Sequence, residues 1–177
     1  MNNKVRYLLP IIAVILFLVE PEFSMYSPLR IGEHAYTFVP RFLILFFIFV
    51  AIYYNRKKAY IYAAFFGLLY DIVFIDIIGL YTFLYPAVCF VAAWCVKYIH
   101  QHILISTILA VLLVMIMEVF VYQFYVILGV AAMPFGDFVV YRLLPTVGAN
   151  FLYLLLLSWA FKYVIDARLI EMERNVA

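Results

Sequence analysis

The sequence predicts an all-α integral membrane protein with six transmembrane helices. Three observations carry this prediction. Of 177 residues, 70% are hydrophobic and only 12% charged, against about 45–50% and about 25% in soluble domains. Mean hydropathy is +1.12. The apolar residues gather into six stretches, and most basic residues gather in the connections on one side of them. A soluble domain of about 150 residues still exposes about 30% of its chain surface, so a fold this small can hide such a composition only in lipid. Residues 1–177 are expected to form a single transmembrane domain, and a formal charge of +2 gives no basis for binding nucleic acid.

A helix needs about 20 residues to cross about 30 Å of hydrocarbon. Span one is expected over residues 5–19, ended by Glu20 and Pro21, because proline does not continue a helix. Lys4 and Arg6 ahead of an apolar core also resemble a signal peptide, but no small-residue cleavage pattern follows, so the helix reads as retained. Span two is expected over residues 37–54, with Thr37 as N-cap and Pro40 in the first turn. Spans three and four follow over 59–74 and 79–96. Span five covers 103–129, closed by Gly129 and Pro134. A short interfacial helix over 137–144 precedes span six at 145–164, and the charged tail after Asp166 extends it.

Lys4, Arg6, Arg56, Lys57, Lys58, Lys97, Lys162, Arg168 and Arg174 fall on one side, leaving Arg30, Arg41 and Arg142 elsewhere. Basic connections stay cytoplasmic, so both termini are expected inside. Tyr53, Tyr54, Tyr60, Trp94, Tyr98 and Tyr163 stand near predicted helix ends, as interfacial aromatics do.

Ionisable groups at membrane depth need partners. Arg41 lies 13 residues above Tyr54, and Asp71 lies 12 above Ala59 on the next helix; at 1.5 Å per residue the rises are about 20 and about 18 Å. Glu118 lies 15 residues above Ile103, a rise of about 22 Å, and Arg142 reaches the same layer from the outer surface. These four residues are expected to form a polar cluster in the outer leaflet. It serves either as a structural ion-pair network or as a pocket for a ligand or a partner's polar group.

Ala59, Ala63 and Gly67 recur at four-residue spacing on span three, a stripe that lets another helix approach closely. That helix is either a neighbouring span or the single span of a partner. Cys89 and Cys95 are six apart and read as small packing residues without a disulfide. His100 and His102 lack an acidic ligand and read as a solvated turn rather than a metal site. Asp71 and Asp76 have no nucleophile beside them. HExxH, GxSxG and P-loop patterns are missing. The sequence is therefore read as non-enzymatic, with no cofactor and no metal.

Three stretches carry a family resemblance. Phe65-Phe66-Gly67-Leu68-Leu69-Tyr70-Asp71, followed by Gly79-Leu80-Tyr81 and Tyr85, resembles the signature of the rod shape-determining MreD family, in its Gram-positive, Bacillus-type branch. Val39-Pro40-Arg41-Phe42 and Arg142-Leu143-Leu144-Pro145-Thr146 fit the same pattern, so Pro40, Gly67, Asp71, Gly79 and Pro145 are family-like positions. The resemblance implies a fold similar to the S-components of energy-coupling-factor transporters and a place in the bacterial plasma membrane. It implies a scaffold of the cell-wall elongation machinery that binds MreC. Through MreC it would meet the actin-like MreB, in an assembly with RodA and a class B penicillin-binding transpeptidase. The motif then builds a charge-locked outer half that presents a helix-docking surface.

A vitamin-binding S-component is the competing expectation. Span one argues against it, because it holds a single alanine, Ala13, where those subunits carry an alanine-xxx-alanine docking pattern. An outer pocket lined by polar and aromatic groups would favour transport; a centre plugged by side chains would favour the scaffold. A membrane enzyme acting on lipid-linked substrates is a third reading, opposed by the lack of a catalytic constellation.

Overall fold

A computed structural model describes residues 7–31, 33–75, 77–98, 102–131 and 133–174. Lys4, Arg6, Asp76 and His100 lie outside the described residues, as do the side chains of Arg168 and Arg174. The helices are α1 (Leu8–Ser24), α2 (Phe42–Tyr53), α3 (Arg56–Tyr70), α4 (Leu80–Cys95), α5 (Ile103–Ile127), the short α6 (Phe135–Phe138) and α7 (Leu144–Arg174). A π-helical turn at Asp71–Ile75 extends α3, and a second at Val139–Leu143 joins α6 to α7. Among the described residues, the stretches Arg56–Ile75, Ile103–Ile127 and Phe135–Ala167 are long and apolar enough to cross a membrane; Phe42–Tyr53 and Leu80–Cys95 are shorter apolar helices.

α2 is the axis of the bundle. Every residue from 42 to 52 is buried, and α2 packs against α1, α3, α4, α5 and α7. Its sequence is apolar all round, as a fully enclosed helix requires. Lipid tails are as apolar as leucine, so burial alone does not hold such a helix inside; close packing and interhelical hydrogen bonds do. The packing is aromatic, with Phe46 edge-on to Phe161 at 5.2 Å and Phe47 near Phe66 at 5.6 Å.

The most extensive helix pair is α3–α4, and Gly67 explains it. A Cβ at Gly67 would stand 2.8 Å from the Tyr81 carbonyl carbon and 3.0 Å from Thr82 Cα. Ala59 and Ala63 are also fully buried. The small-residue stripe therefore serves internal packing. As an open groove for a partner helix the expectation is corrected, because α4 already stands against Gly67.

Three boundaries differ from the sequence reading. α1 continues through Pro21 to Ser24. Proline removes one hydrogen bond there, but the last turn closes through Met25 N–H to the Pro21 and Glu22 carbonyls. α2 begins at Phe42, so Thr37 is not its N-cap and Pro40 is not in its first turn. Residues 37–41 instead form an extended strap along α7. Thr37 N–H donates to the Tyr141 carbonyl at 2.7 Å, Val39 N–H to Thr146 Oγ1 at 3.0 Å and Arg41 N–H to Asn150 Oδ1 at 2.8 Å. The physical cause is Pro40, which pushes Val39 toward extended geometry. Pro145 completes the fit: it has no N–H for the Tyr141 carbonyl four residues earlier, and Thr37 takes that acceptor. Third, residues 135–144 form no separate interfacial helix but run continuously into α7.

The all-α expectation also misses a hairpin between α1 and the strap, where β1 (Leu29–Ile31) pairs antiparallel with β2 (His34–Tyr36). Strands of three residues are too short to register a period of two. Tyr141 anchors the hairpin, stacking on His34 at 5.1 Å and meeting Tyr36 at 5.5 Å.

Candidate functional site

Arg41 stands where the strap turns into α2, and its side chain is 2% exposed. All three guanidinium nitrogens are engaged. Nε donates to Glu118 Oε1 at 2.6 Å, Nη1 to the Tyr70 hydroxyl at 3.2 Å and Nη2 to the Tyr81 hydroxyl at 2.7 Å. The cation also lies 5.0 Å from the Tyr81 ring centroid and 5.7 Å from that of Tyr70, close enough for attraction to both rings. A planar, permanently charged fork with several fixed donors suits such a site in a way lysine does not.

Glu118, on α5, is 1% exposed. Its second oxygen faces Arg142 Nη2 at 3.9 Å, a looser contact from the π-helical turn ahead of α7. Sequence reasoning missed the third buried acid. Glu20, on α1, is 1% exposed, and its Oε2 accepts the Leu43 N–H at 3.1 Å, capping the first turn of α2 from another helix. Its Oε1 has no hydrogen-bond partner among the described residues. The signal was available, since Glu20 adjoins an apolar span, but Pro21 beside it reads as a helix end. Asn150, an amide inside an apolar span, was also passed over; it holds the strap by accepting from Arg41 N–H and donating to the carbonyls of Val39 and Thr146.

Asp71 belongs to a different device, and its expected pairing with Arg41 is corrected. It is fully buried, and its carboxylate caps the start of α4. Oδ2 accepts from Gly79 N–H at 2.9 Å, Thr82 N–H at 3.0 Å and Thr82 Oγ1 at 2.7 Å, and Oδ1 accepts from Tyr81 N–H at 2.8 Å. No ion pair joins Asp71 to Arg41 among the described residues. An N-terminus of a helix favours a carboxylate through its free N–H groups and its dipole, and four donors leave the anion nothing to seek. Gly79 makes the turn possible with φ 114°, a conformation that glycine adopts without penalty.

The structure thus joins Arg41, Glu118 and Arg142, and places Asp71 and Gly79 in the adjoining cap. Pro40 lines a cavity of about 190 Å³ between α1, the strap and α7, together with Phe23, Phe42, Asn150 and Tyr153. Among the described residues, no group of three or more His, Cys, Asp or Glu side chains is placed to hold a metal ion. Chemically, Arg41 and Asp71 are spent on their partners and on a helix end, whereas Glu20 Oε1, Glu118 Oε2 and Arg142 Nε have no hydrogen-bond partner among the described residues.

The family profile described as rod shape-determining protein MreD matches residues 5–165. This chain belongs to the MreD family. The rod shape-determining protein MreD of Bacillus subtilis (strain 168) is 31% identical over 157 residues, covering 89% of this chain and 91% of that protein. No solved structure matches the chain. An MreD-family chain is a membrane protein of the rod-shape system, and the apolar helices described above fit that class.

Proposed function

We propose that this chain is a non-enzymatic scaffold of the cell-wall elongation machinery in the bacterial plasma membrane. In this reading α1 to α5 and the α6–α7 helix make six spans, in a fold like that of energy-coupling-factor S-components. Both termini are cytoplasmic. The scaffold binds MreC, reaches MreB through it, and shares an assembly with RodA and a class B penicillin-binding transpeptidase.

One observation carries the choice between scaffold and small-molecule binder: Arg41 fills the outer polar centre and spends its nitrogens on Glu118, Tyr70 and Tyr81. A vitamin-binding subunit needs that space and those donors for its ligand. With the central helix also buried throughout, what remains for recognition is the outside of the bundle, which suits protein partners within the membrane.

The test is purification of the tagged chain from native membranes in mild detergent, followed by mass spectrometry. MreC is expected in the eluate. Transporter ATPases in place of cell-wall proteins would reverse the reading.

A further inference from the structure

The end of the bundle opposite Arg41 carries a second charged pattern. α3 opens with Arg56, Lys57 and Lys58, all exposed. α4 runs back along α3: its first turn stands against Gly67, and the Phe90 and Tyr60 ring centroids are 6.3 Å apart. Lys97, just past the end of α4 and also exposed, therefore returns to the end where α3 begins. No ion pair engages these four cations among the described residues, and neither α3 nor α4 contains an acid. Lys58 donates to the Tyr54 hydroxyl at 3.0 Å. The α7 side of this end is different. There the half-buried Lys162 lies 5.4 Å from the Tyr53 ring, and Asp166 is within electrostatic reach of the same tyrosine.

The cations on α3 do nothing for their own helix. The start of a helix is the positive end of its dipole, so cations there are unfavourable, and no acid in the first turn offsets them. What they share with α4 is a direction. Residues four apart stand on one helix face, which aligns Lys57 with Ile61 and Phe65, all exposed. On α4, Phe90 and Trp94 share an exposed face that ends at Lys97 and Tyr98, with Tyr98 edge-on to Trp94 at 5.3 Å. Each helix thus presents a cation at its end and apolar side chains one and two turns deeper. Exposed aromatics at such a level are those that settle at a membrane–water interface.

We propose that this face is a site for an anionic phospholipid of the cytoplasmic leaflet, with Arg56, Lys57 and Lys97 on the headgroup and Ile61, Phe65 and Phe90 along the acyl chains. The proposal rests on the topology in the scaffold reading above, which puts the basic end inside. The two parts of the face select the occupant together. An acidic protein segment from the cytoplasm meets the cations but leaves the apolar stripes beneath them uncovered. An uncharged lipid covers the stripes but leaves the cations without a counter-charge. An anionic lipid satisfies both, and each Lys or Arg near the headgroups strengthens its binding.

The experiment uses the full-length chain on affinity resin in mild detergent. The resin is equilibrated with micelles holding equal amounts of phosphatidylglycerol and phosphatidylcholine with identical acyl chains, then washed, and the bound lipid is quantified by mass spectrometry. Phosphatidylglycerol is expected to be retained about fivefold or more over phosphatidylcholine. Raising the salt from about 0.1 M to about 1 M is expected to erase the preference, because screening shortens from about 10 Å to about 3 Å. Arg56→Gln, Lys57→Gln and Lys97→Gln are each expected to weaken phosphatidylglycerol retention about two- to fivefold. Their lipid-free melting temperatures should match the parent, since all three side chains are exposed. Arg30→Gln, on the hairpin at the other end, is expected to change nothing. Equal retention of the two lipids, which an acidic protein occupant predicts, overturns the site. So does a preference that survives high salt or the combined substitution of all three cations, or one that Arg30→Gln abolishes as well. The scaffold reading then stands or falls separately, on recovery of MreC; its absence from the eluate beside an intact lipid preference overturns the scaffold and keeps the lipid site.

Discussion

Arg41 Nε donates to Glu118 Oε1 at 2.6 Å, and neither side chain meets solvent. The pair joins the strap and α2 to α5 where both side chains are buried, with Arg142 facing the second oxygen of Glu118 at 3.9 Å. Breaking a buried pair by removing one partner strands the other, at about 3–5 kcal/mol. Arg41→Ala and Glu118→Ala are each expected to lower the detergent melting temperature sharply. Glu118→Gln, which keeps an acceptor for Nε, should fall between Glu118→Ala and the parent. Thermal unfolding followed by aggregation or intrinsic fluorescence checks this.

Asp71 stabilises a helix start instead of a cation, so charge reversal distinguishes the two roles. Asp71→Arg is expected to be severely destabilised, and adding Arg41→Asp should give no rescue in melting temperature or yield. Recovery in the double variant would place Asp71 back in the ion-pair layer.

Gly67 admits α4 to its closest approach. Gly67→Ala is expected to destabilise the chain by about 1–3 kcal/mol through overpacking, because backbone atoms of Tyr81 and Thr82 cannot swing aside. Normal stability in Gly67→Ala, measured by the same melt, would contradict internal packing of this face.

Asn150 holds the strap by its backbone. Asn150→Leu leaves the Arg41 N–H and the Val39 carbonyl without their partners, at about 1–3 kcal/mol for each stranded group. Protease cleavage between residues 25 and 41, or faster hydrogen exchange there, should report the loosened strap before the bundle melts.

How far the sequence carried this picture depended on which coordinate was needed. Depth was readable, because 1.5 Å per residue is constant along a helix, and counting put Arg41 and Glu118 in one layer, where they do pair. Azimuth was not readable. Asp71 shares that depth, yet its carboxylate serves the start of α4, and only the turn through Gly79 decides so. Prolines misled in opposite ways: α1 passes through Pro21, while Pro40 extends the strap where a helix start was expected. Glu20 was lost with the first of these errors. Pro145 was legible as a residue, but the Tyr141 carbonyl it leaves to Thr37 acquires meaning only once the strap is placed.

Whether a coupled buried charge pair locks the strap and α2 to α5 is decided by a double-mutant cycle on Arg41→Met and Glu118→Leu, read as unfolding free energy in detergent. Removing both charges eliminates the stranded partner, so the double variant is expected to be more stable than either single, with a coupling of about 2 kcal/mol or more. Effects that add to within about 0.5 kcal/mol would mean that the two side chains act independently, and the lock would not exist.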